Sequence, residues 1–240
     1  MKKLLIRFFA GALTLVCLLG LGVCAVVGAQ GYQMYQDALA AKPLADAVAA
    51  VRAQPDYTPL SELPALYKQA VVAVEDHRFY SHGGVDFLAL ARALWNDLKA
   101  QSFVQGGSTI TQQLAKNLFF TQEKRLTRKV AEALMAWEIE KYFSKDEILE
   151  LYVNAIYFGS GCDNVRQAAR CYFGKEPAEM TAYECTMLAG IPNAPSIYDP
   201  SKNPALAARR QREVVRVLER RGILAAEETA AILTPVAVQP

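Results

Sequence analysis

Residues 8–29 read FFAGALTLVCLLGLGVCAVVGA, 22 consecutive positions without a charge. At about 1.5 Å rise per residue, a run of this length matches the roughly 30 Å hydrocarbon core of a bilayer. A helix buried in a soluble protein keeps a polar edge, whereas this one would be apolar on every side. Val27-Gly28-Ala29 resembles the small-residue site of a cleaved signal peptide. The apolar stretch of such a peptide is only about 7–15 residues long, so the run reads as an uncleaved anchor. Lys2, Lys3 and Arg7 precede it and no base follows closely. That asymmetry places the N-terminus in the cytoplasm and the body on the far side of the membrane.

Those three bases account for the net charge of +2, because residues 31–240 carry 23 bases against 24 acids. A body without concentrated positive charge excludes nucleic acid as the main partner. The chain divides into residues 1–30 (cytoplasmic stub and anchor), residues 31–57 (an Ala-rich connector with Pro43 and Pro55) and residues 58–240 (one domain). Helix signals dominate that domain. Thr109-Ile-Thr-Gln112, Ser144-Lys-Asp-Glu147 and Thr181-Ala-Tyr-Glu184 each fit a capping box. Asn203-Pro204 opens a basic helix that should end before Gly222. Leu126, Val130, Leu134 and Trp137 fall on one helical stripe, as do Ile148, Leu151, Tyr152 and Ala155. Alternating apolar runs are scarce, so the fold class is mostly α, with any β-structure minor and nearest residues 51–60. Cys162, Cys171 and Cys185 make an odd number outside the span and read as unpaired thiols.

Two stretches carry chemistry. In AVVAVEDHRFYSHGG an apolar run ends on Glu75 and Asp76. A carboxylate at such an edge is either a solvated helix end or a partly desolvated base with raised proton affinity. In QGGSTITQQLAKN, Thr109 and Gln112 are explained by helix capping, but Ser108, Thr111, Gln113 and Lys116 are not. Ser108, Gln112 and Lys116 are successive i, i+4 neighbours, and their face suits a ligand rich in hydroxyls, amides and phosphate.

These stretches, followed in order by RKVAEALMAWEIE, KDEILELYVN and CYFGK, resemble the motifs of the family 51 glycosyltransferases, the peptidoglycan transglycosylases. The resemblance covers about residues 58–220 and points to the monofunctional form. It implies a lysozyme-like helical glycosyltransferase domain behind one transmembrane helix, in a single-pass protein of the cell membrane. It also implies a function in cell-wall biogenesis: polymerisation of lipid II into glycan strands by inverting transfer, with release of undecaprenyl pyrophosphate. Partners would be lipid II, the nascent strand, the membrane, and penicillin-binding or other divisome and elongation proteins.

Carried over residue by residue, the resemblance makes Glu75 the general base and Glu132 a second catalytic carboxylate. Glu132 would assist the leaving pyrophosphate directly or through Mg²⁺ or Mn²⁺, with no organic cofactor. Ser108, Thr109, Gln112, Gln113, Lys116, Asn117, Lys124, Arg128 and Lys129 would bind substrate, and Asp76, Phe79 and His82 would organise the loop. The bland alternative for Glu132 is an ion pair with Arg128 and Lys129, worth about 0.3–0.5 kcal/mol at a surface. The chain departs from the family pattern at Lys124, where arginine is usual, so Arg125 is the other candidate. It departs again at Asp163-Asn164, where Tyr-Gly is usual.

A lysozyme-like hydrolase is the competing enzyme class, and a non-catalytic scaffold the competing role. The hydrolase needs a general acid for the glycosidic oxygen. Phe87, Leu88, Leu94, Trp95, Leu98 and Phe103 form either core or a surface that dips into the bilayer interface.

Overall fold

The computed structural model describes residues 2–100, 107–121 and 125–234. Lys124 and Phe103, and the side chains of Leu94 and Leu98, lie outside what is described. Among the described residues there is no strand.

Helix α1 (Lys2–Ala41) is continuous for 40 residues, about 60 Å. Its segment Phe9–Ala41 is long and apolar enough to cross a membrane, with a mean hydropathy of 2.5 and no burial in its most apolar window. Phe9, Leu13, Val16, Leu19 and Val23 are all exposed there. From Gly31 onward the same helix acquires a protein-facing stripe of Gly31, Met34, Tyr35, Ala38 and Leu39. Residues 31–41 of the expected connector are therefore the docked end of the anchor helix. Its partner is α6 (Leu126–Tyr142), and Gly31 sets the distance. A Cβ on Gly31 would lie 2.5 Å from Cβ of Val130 and 2.8 Å from the Thr127 carbonyl, so no larger residue fits.

After α2 (Leu44–Arg52), whose Val48 and Val51 enter the core, the chain runs extended past Thr58. This is where a short strand was expected, and the backbone has a different partner. The buried Asn154 side chain accepts from the Thr58 N–H at 2.8 Å and donates to the Thr58 carbonyl at 2.8 Å. One amide side chain thus supplies what a neighbouring strand would.

The remaining helices are α3 (Ala65–Glu75), α4 (Phe87–Ala100), α5 (Ile110–Phe119), α6 (Leu126–Tyr142), α7 (Lys145–Val153), α8 (Val165–Phe173), α9 (Ala182–Gly190), α10 (Pro204–Arg220) and α11 (Ala226–Leu233). All three capping boxes form, at the starts of α5, α7 and α9. The core joins Tyr67 and Val71 of α3, Ile110 and Leu114 of α5, Met135 and Ile139 of α6, Ile148, Leu151 and Tyr152 of α7, Leu188 of α9 and Val214 of α10.

Helix α6 corrects one expectation. Leu126 is 74% and Trp137 43% exposed, so the stripe they share is not the core face. The buried face is Arg128, Ala131, Glu132, Met135, Ala136 and Ile139. An ion cluster on that face offsets its own burial, which a count of apolar side chains cannot register. Phe87, Leu88, Leu90 and Trp95 on α4 are likewise exposed, and the Phe87 ring lies 6.4 Å from that of Trp137. Of the two readings for this segment, exposure holds for these residues.

Candidate active site

The end of α3, the starts of α5 and α6, and parts of α4 and α10 enclose a cleft of about 840 Å³. Glu75 is the last residue of α3 and lines it. Its Oε2 accepts from Nε2 of Gln113 at 2.8 Å, and the Tyr152 hydroxyl donates to Oε1 of Gln113 at 3.3 Å. Its Oε1 is buried without a hydrogen-bond partner among the described residues. Burial pushes the Glu75 carboxyl above the usual range, against the opposing pull of Gln113, Arg210 and Lys116. A position at a helix C-terminus, where the dipole is negative, disfavours the carboxylate in the same direction. The buried phenols of Tyr67 and Tyr152 stand nearby, and their own pKa values are raised by burial and by Glu75.

Asp76 turns the chain out of α3 and into a different task. Its Oδ1 lies 2.8 Å from Nε2 of His82, and its Oδ2 accepts from the N–H of Ile110 at 3.1 Å. It thereby ties the loop after α3 to the N-terminus of α5, where a carboxylate is stabilised by unpaired N–H groups. Phe79 is fully buried beneath this loop. Asp76, Phe79 and His82 therefore sit where loop-organising residues were expected.

On the opposite wall, Glu132 is fully buried and its oxygens are divided between two cations. Oε1 pairs with Arg128 at 2.5 Å and Oε2 with Lys129 at 2.6 Å. Lys129 also donates to Oγ of Ser108 at 3.0 Å. Lys116, one helical turn beyond Gln112, faces the same cluster. Burial lowers its pKa, and Lys129 and Arg128 lower it further, while Glu132 and Glu75 raise it. The cleft thus holds a carboxylate with raised proton affinity and, across from it, ammonium groups backed by a buried counterion.

The expected substrate-binding residues separate on inspection. Ser108, Gln113, Lys116 and Lys129 line the cleft with side-chain groups. Thr109 and Gln112 line it too, but their polar atoms are committed to the capping box. The Thr109 hydroxyl also donates to the Gly84 carbonyl at 2.6 Å. Asn117 does not line the cleft. Arg128 and Arg125 line a separate apolar pocket of about 250 Å³ with Met34, Ala38, Phe119, Phe120 and Thr121.

A divalent cation on Glu132 does not fit this arrangement. Both carboxylate oxygens already accept from cations, and the trio carries net positive charge before any metal arrives. Ligand atoms of Asp76, His82 and Asp86 lie within 4.8 Å of one another, but they too are engaged. Asp86 pairs with Arg78 at 2.9 Å and accepts from the N–H of Ala89 at 2.9 Å.

Sequence reasoning missed the third wall. Asn193, Tyr198, Arg210, Glu213 and Arg221 line the cleft, with His77 and Arg92 across from them. The Arg210 guanidinium stacks over the Tyr198 ring at 5.7 Å and donates to the Gly190 carbonyl at 3.3 Å. Helix α10 was legible only as basic, and nothing in RRQR distinguishes an inward arginine from an outward one.

Residues 42–219 match the Transglycosylase family. A protein of Cupriavidus necator named as a transglycosylase is 45% identical over 195 residues, which cover 81% of this chain and 84% of that one. Penicillin-binding protein 1F of Bacillus subtilis is 41% identical over 169 residues, covering 70% of this chain and 24% of the relative. Penicillin-binding protein 1A of Neisseria cinerea is 46% identical over 160 residues, covering 67% and 20%. The chain thus spans only a fifth to a quarter of these penicillin-binding relatives. The crystal structure of penicillin-binding protein 1A from Haemophilus influenzae aligns with a TM-score of 0.44 at 21% identity, over 75% of this chain and 17% of that one.

Proposed function

Because this chain belongs to the transglycosylase family, we propose that its cleft polymerises lipid II into glycan strands and releases undecaprenyl pyrophosphate. The chain is a peptidoglycan glycosyltransferase; the donor, the leaving group and the assignment of each residue are the proposal.

The acceptor sugar's 4-hydroxyl attacks C1 of the growing strand, from the face opposite the pyrophosphate, and the configuration at C1 inverts. Glu75 takes the hydroxyl proton as the C–O bond forms. Gln113 holds one carboxylate oxygen and leaves the unpartnered Oε1 to receive it. A positioned base of this kind contributes about 10²–10⁴-fold. The departing pyrophosphate needs no proton but develops negative charge, and Lys116, Lys129 and the Ser108 hydroxyl stand opposite Glu75 to meet it. Glu132 acts through them, as the buried counterion that orients Lys129 and Arg128.

The observation that carries this reading is the state of Glu132. A glycoside hydrolase needs a second carboxyl to protonate the leaving oxygen. Both Glu132 oxygens are occupied as acceptors, which leaves no O–H to donate. Cation stabilisation of a pyrophosphate is the chemistry that remains.

Helix α1 would hold the body on the outer face of the membrane, with the exposed Phe87, Leu88 and Trp95 of α4 at the bilayer interface where lipid-linked sugar is presented. Protein partners in wall synthesis belong to the same reading. The test supplies purified protein with fluorescent lipid II and, separately, with finished glycan. Elongation of lipid II with finished glycan left uncut is expected. Cut glycan with untouched lipid II would overturn the proposal.

A further inference from the structure

We propose that Tyr152 is a positioning residue, whose hydroxyl holds the Gln113 amide in the one orientation that favours Glu75 as a carboxylate. The inference rests on Glu75 being the base of the proposed reaction, and it adds a residue that never touches substrate.

Three helices each supply one member of a line: Tyr152 from α7, Gln113 from α5 and Glu75 from α3. The Tyr152 hydroxyl donates to Oε1 of Gln113 at 3.3 Å, and Nε2 of Gln113 donates to Oε2 of Glu75 at 2.8 Å. Tyr152 is fully buried and does not line the cleft. Among the described residues, Gln113 is the one hydrogen-bond partner of its hydroxyl. The helix that carries it is fixed at both ends. Ser144 and Glu147 form the capping box at its start, and Asn154, just past its end, bonds both polar groups of the Thr58 backbone.

A glutamine amide has an acceptor on one side and a donor on the other, and a half-turn exchanges them. With the NH₂ toward Glu75, the ionised carboxyl is favoured. With the oxygen toward it, only a protonated carboxyl can bond. A phenol donates more readily than it accepts, because its oxygen lone pair is shared with the ring. Tyr152 therefore selects the amide oxygen and turns the NH₂ onto Glu75. Accepting a hydrogen bond at its oxygen also polarises the amide and makes its N–H a stronger donor. The phenol keeps its proton throughout, since burial, then Glu75 and Tyr67, push its pKa well up.

The other groups around Glu75 act on its charge without touching the amide. Arg210 on α10 and Lys116 on α5 favour the carboxylate, and Asp76 at the next position opposes it. Cys185 on α9 is directed at the Met180 carbonyl. Tyr67 on α3 is a second buried phenol near Glu75, but its hydroxyl has no hydrogen-bond partner among the described residues. It supplies the comparison: the same group, equally buried, with no bond to Gln113.

The test uses full-length protein in detergent, labelled with ¹³C at the glutamate carboxyl carbons, with the Glu75 signal identified by its loss in Glu75→Gln. Tyr152→Phe should raise the midpoint of that signal's pH titration by about one unit, and the acid limb of kcat/KM for lipid II elongation with it. In a Gln113→Ala background the same substitution should move the midpoint no further, and Tyr67→Phe should leave it in place. An unmoved midpoint in Tyr152→Phe would overturn the proposal. So would an equal shift in Tyr67→Phe, or a second full shift on top of Gln113→Ala. A purely structural tyrosine would lower the melting temperature and leave the midpoint alone. The titration needs no substrate, so a shifted midpoint in protein that fails to elongate lipid II would sink the proposed function and leave the positioning role standing.

Discussion

Glu132→Gln is the perturbation whose consequence the structure fixes most closely. Glutamine keeps the shape of the side chain but removes its charge, and its amide group would point a donor at a cation. Arg128 would then lose its ion pair with Glu132, and Lys129, whose side chain is 47% exposed, would recover part of its loss from water. Breaking a buried ion pair from one side costs about 3–5 kcal/mol. The half-exposed lysine moves the expectation to the lower end, about 3 kcal/mol. For a chain of this size, that lowers the melting temperature by about 6–12 °C. Arg128→Met combined with Glu132→Leu replaces the buried ions with apolar volume and should recover most of the stability. It should not recover polymerisation, because Lys129 would then face the pyrophosphate without its orienting carboxylate. Calorimetry and lipid II elongation on the same preparations make the comparison. A single variant melting within about 2 °C of the parent would refute the burial argument. A double variant with restored activity would refute the role assigned to the charge.

The raised proton affinity of Glu75 predicts that kcat/KM falls on the acid side at a pH above the ordinary glutamate range. Gln113→Ala removes a hydrogen bond that favours the carboxylate, so it should move this limb to higher pH, and an unmoved limb would contradict the assignment. Stability carries the same sign: a carboxyl whose pKa is raised by folding stabilises below its unfolded value and loses that contribution as pH rises through the folded one. Glu75→Gln should therefore melt higher than the parent at pH 8, with the difference vanishing near pH 4 in calorimetric scans. Phe87→Ser with Trp95→Ser should weaken binding of anchor-deleted protein to anionic vesicles by about tenfold, read by co-sedimentation, while elongation of lipid II in detergent is unchanged.

Much of this molecule is legible in its residues, and the exceptions share a cause. Capping boxes at Thr109, Ser144 and Thr181 are local, four-residue devices, and all three form as read. Glu75 faces the cleft and Asp76 ties the following loop to α5, a division legible because the apolar run before them and the loop after them are contiguous in sequence. Arg210, Tyr198 and Arg221 were invisible because α10 and the segments flanking it reach the cleft only through tertiary packing. The apolar stripe of α6 misled because Glu132, Arg128 and Lys129 make a polar face burial-competent by pairing, which no hydropathy pattern records. Asn154 stands in for a strand at Thr58 by the same logic of long-range satisfaction.

The central claim is that Glu75 is the base that accepts the sugar hydroxyl's proton, and Glu75→Gln in a lipid II polymerisation assay tests it most directly. The account predicts a folded, membrane-inserted protein that melts at or above the parent at pH 8 and elongates at least 10²-fold more slowly. Elongation at the parent's rate by that variant would contradict it.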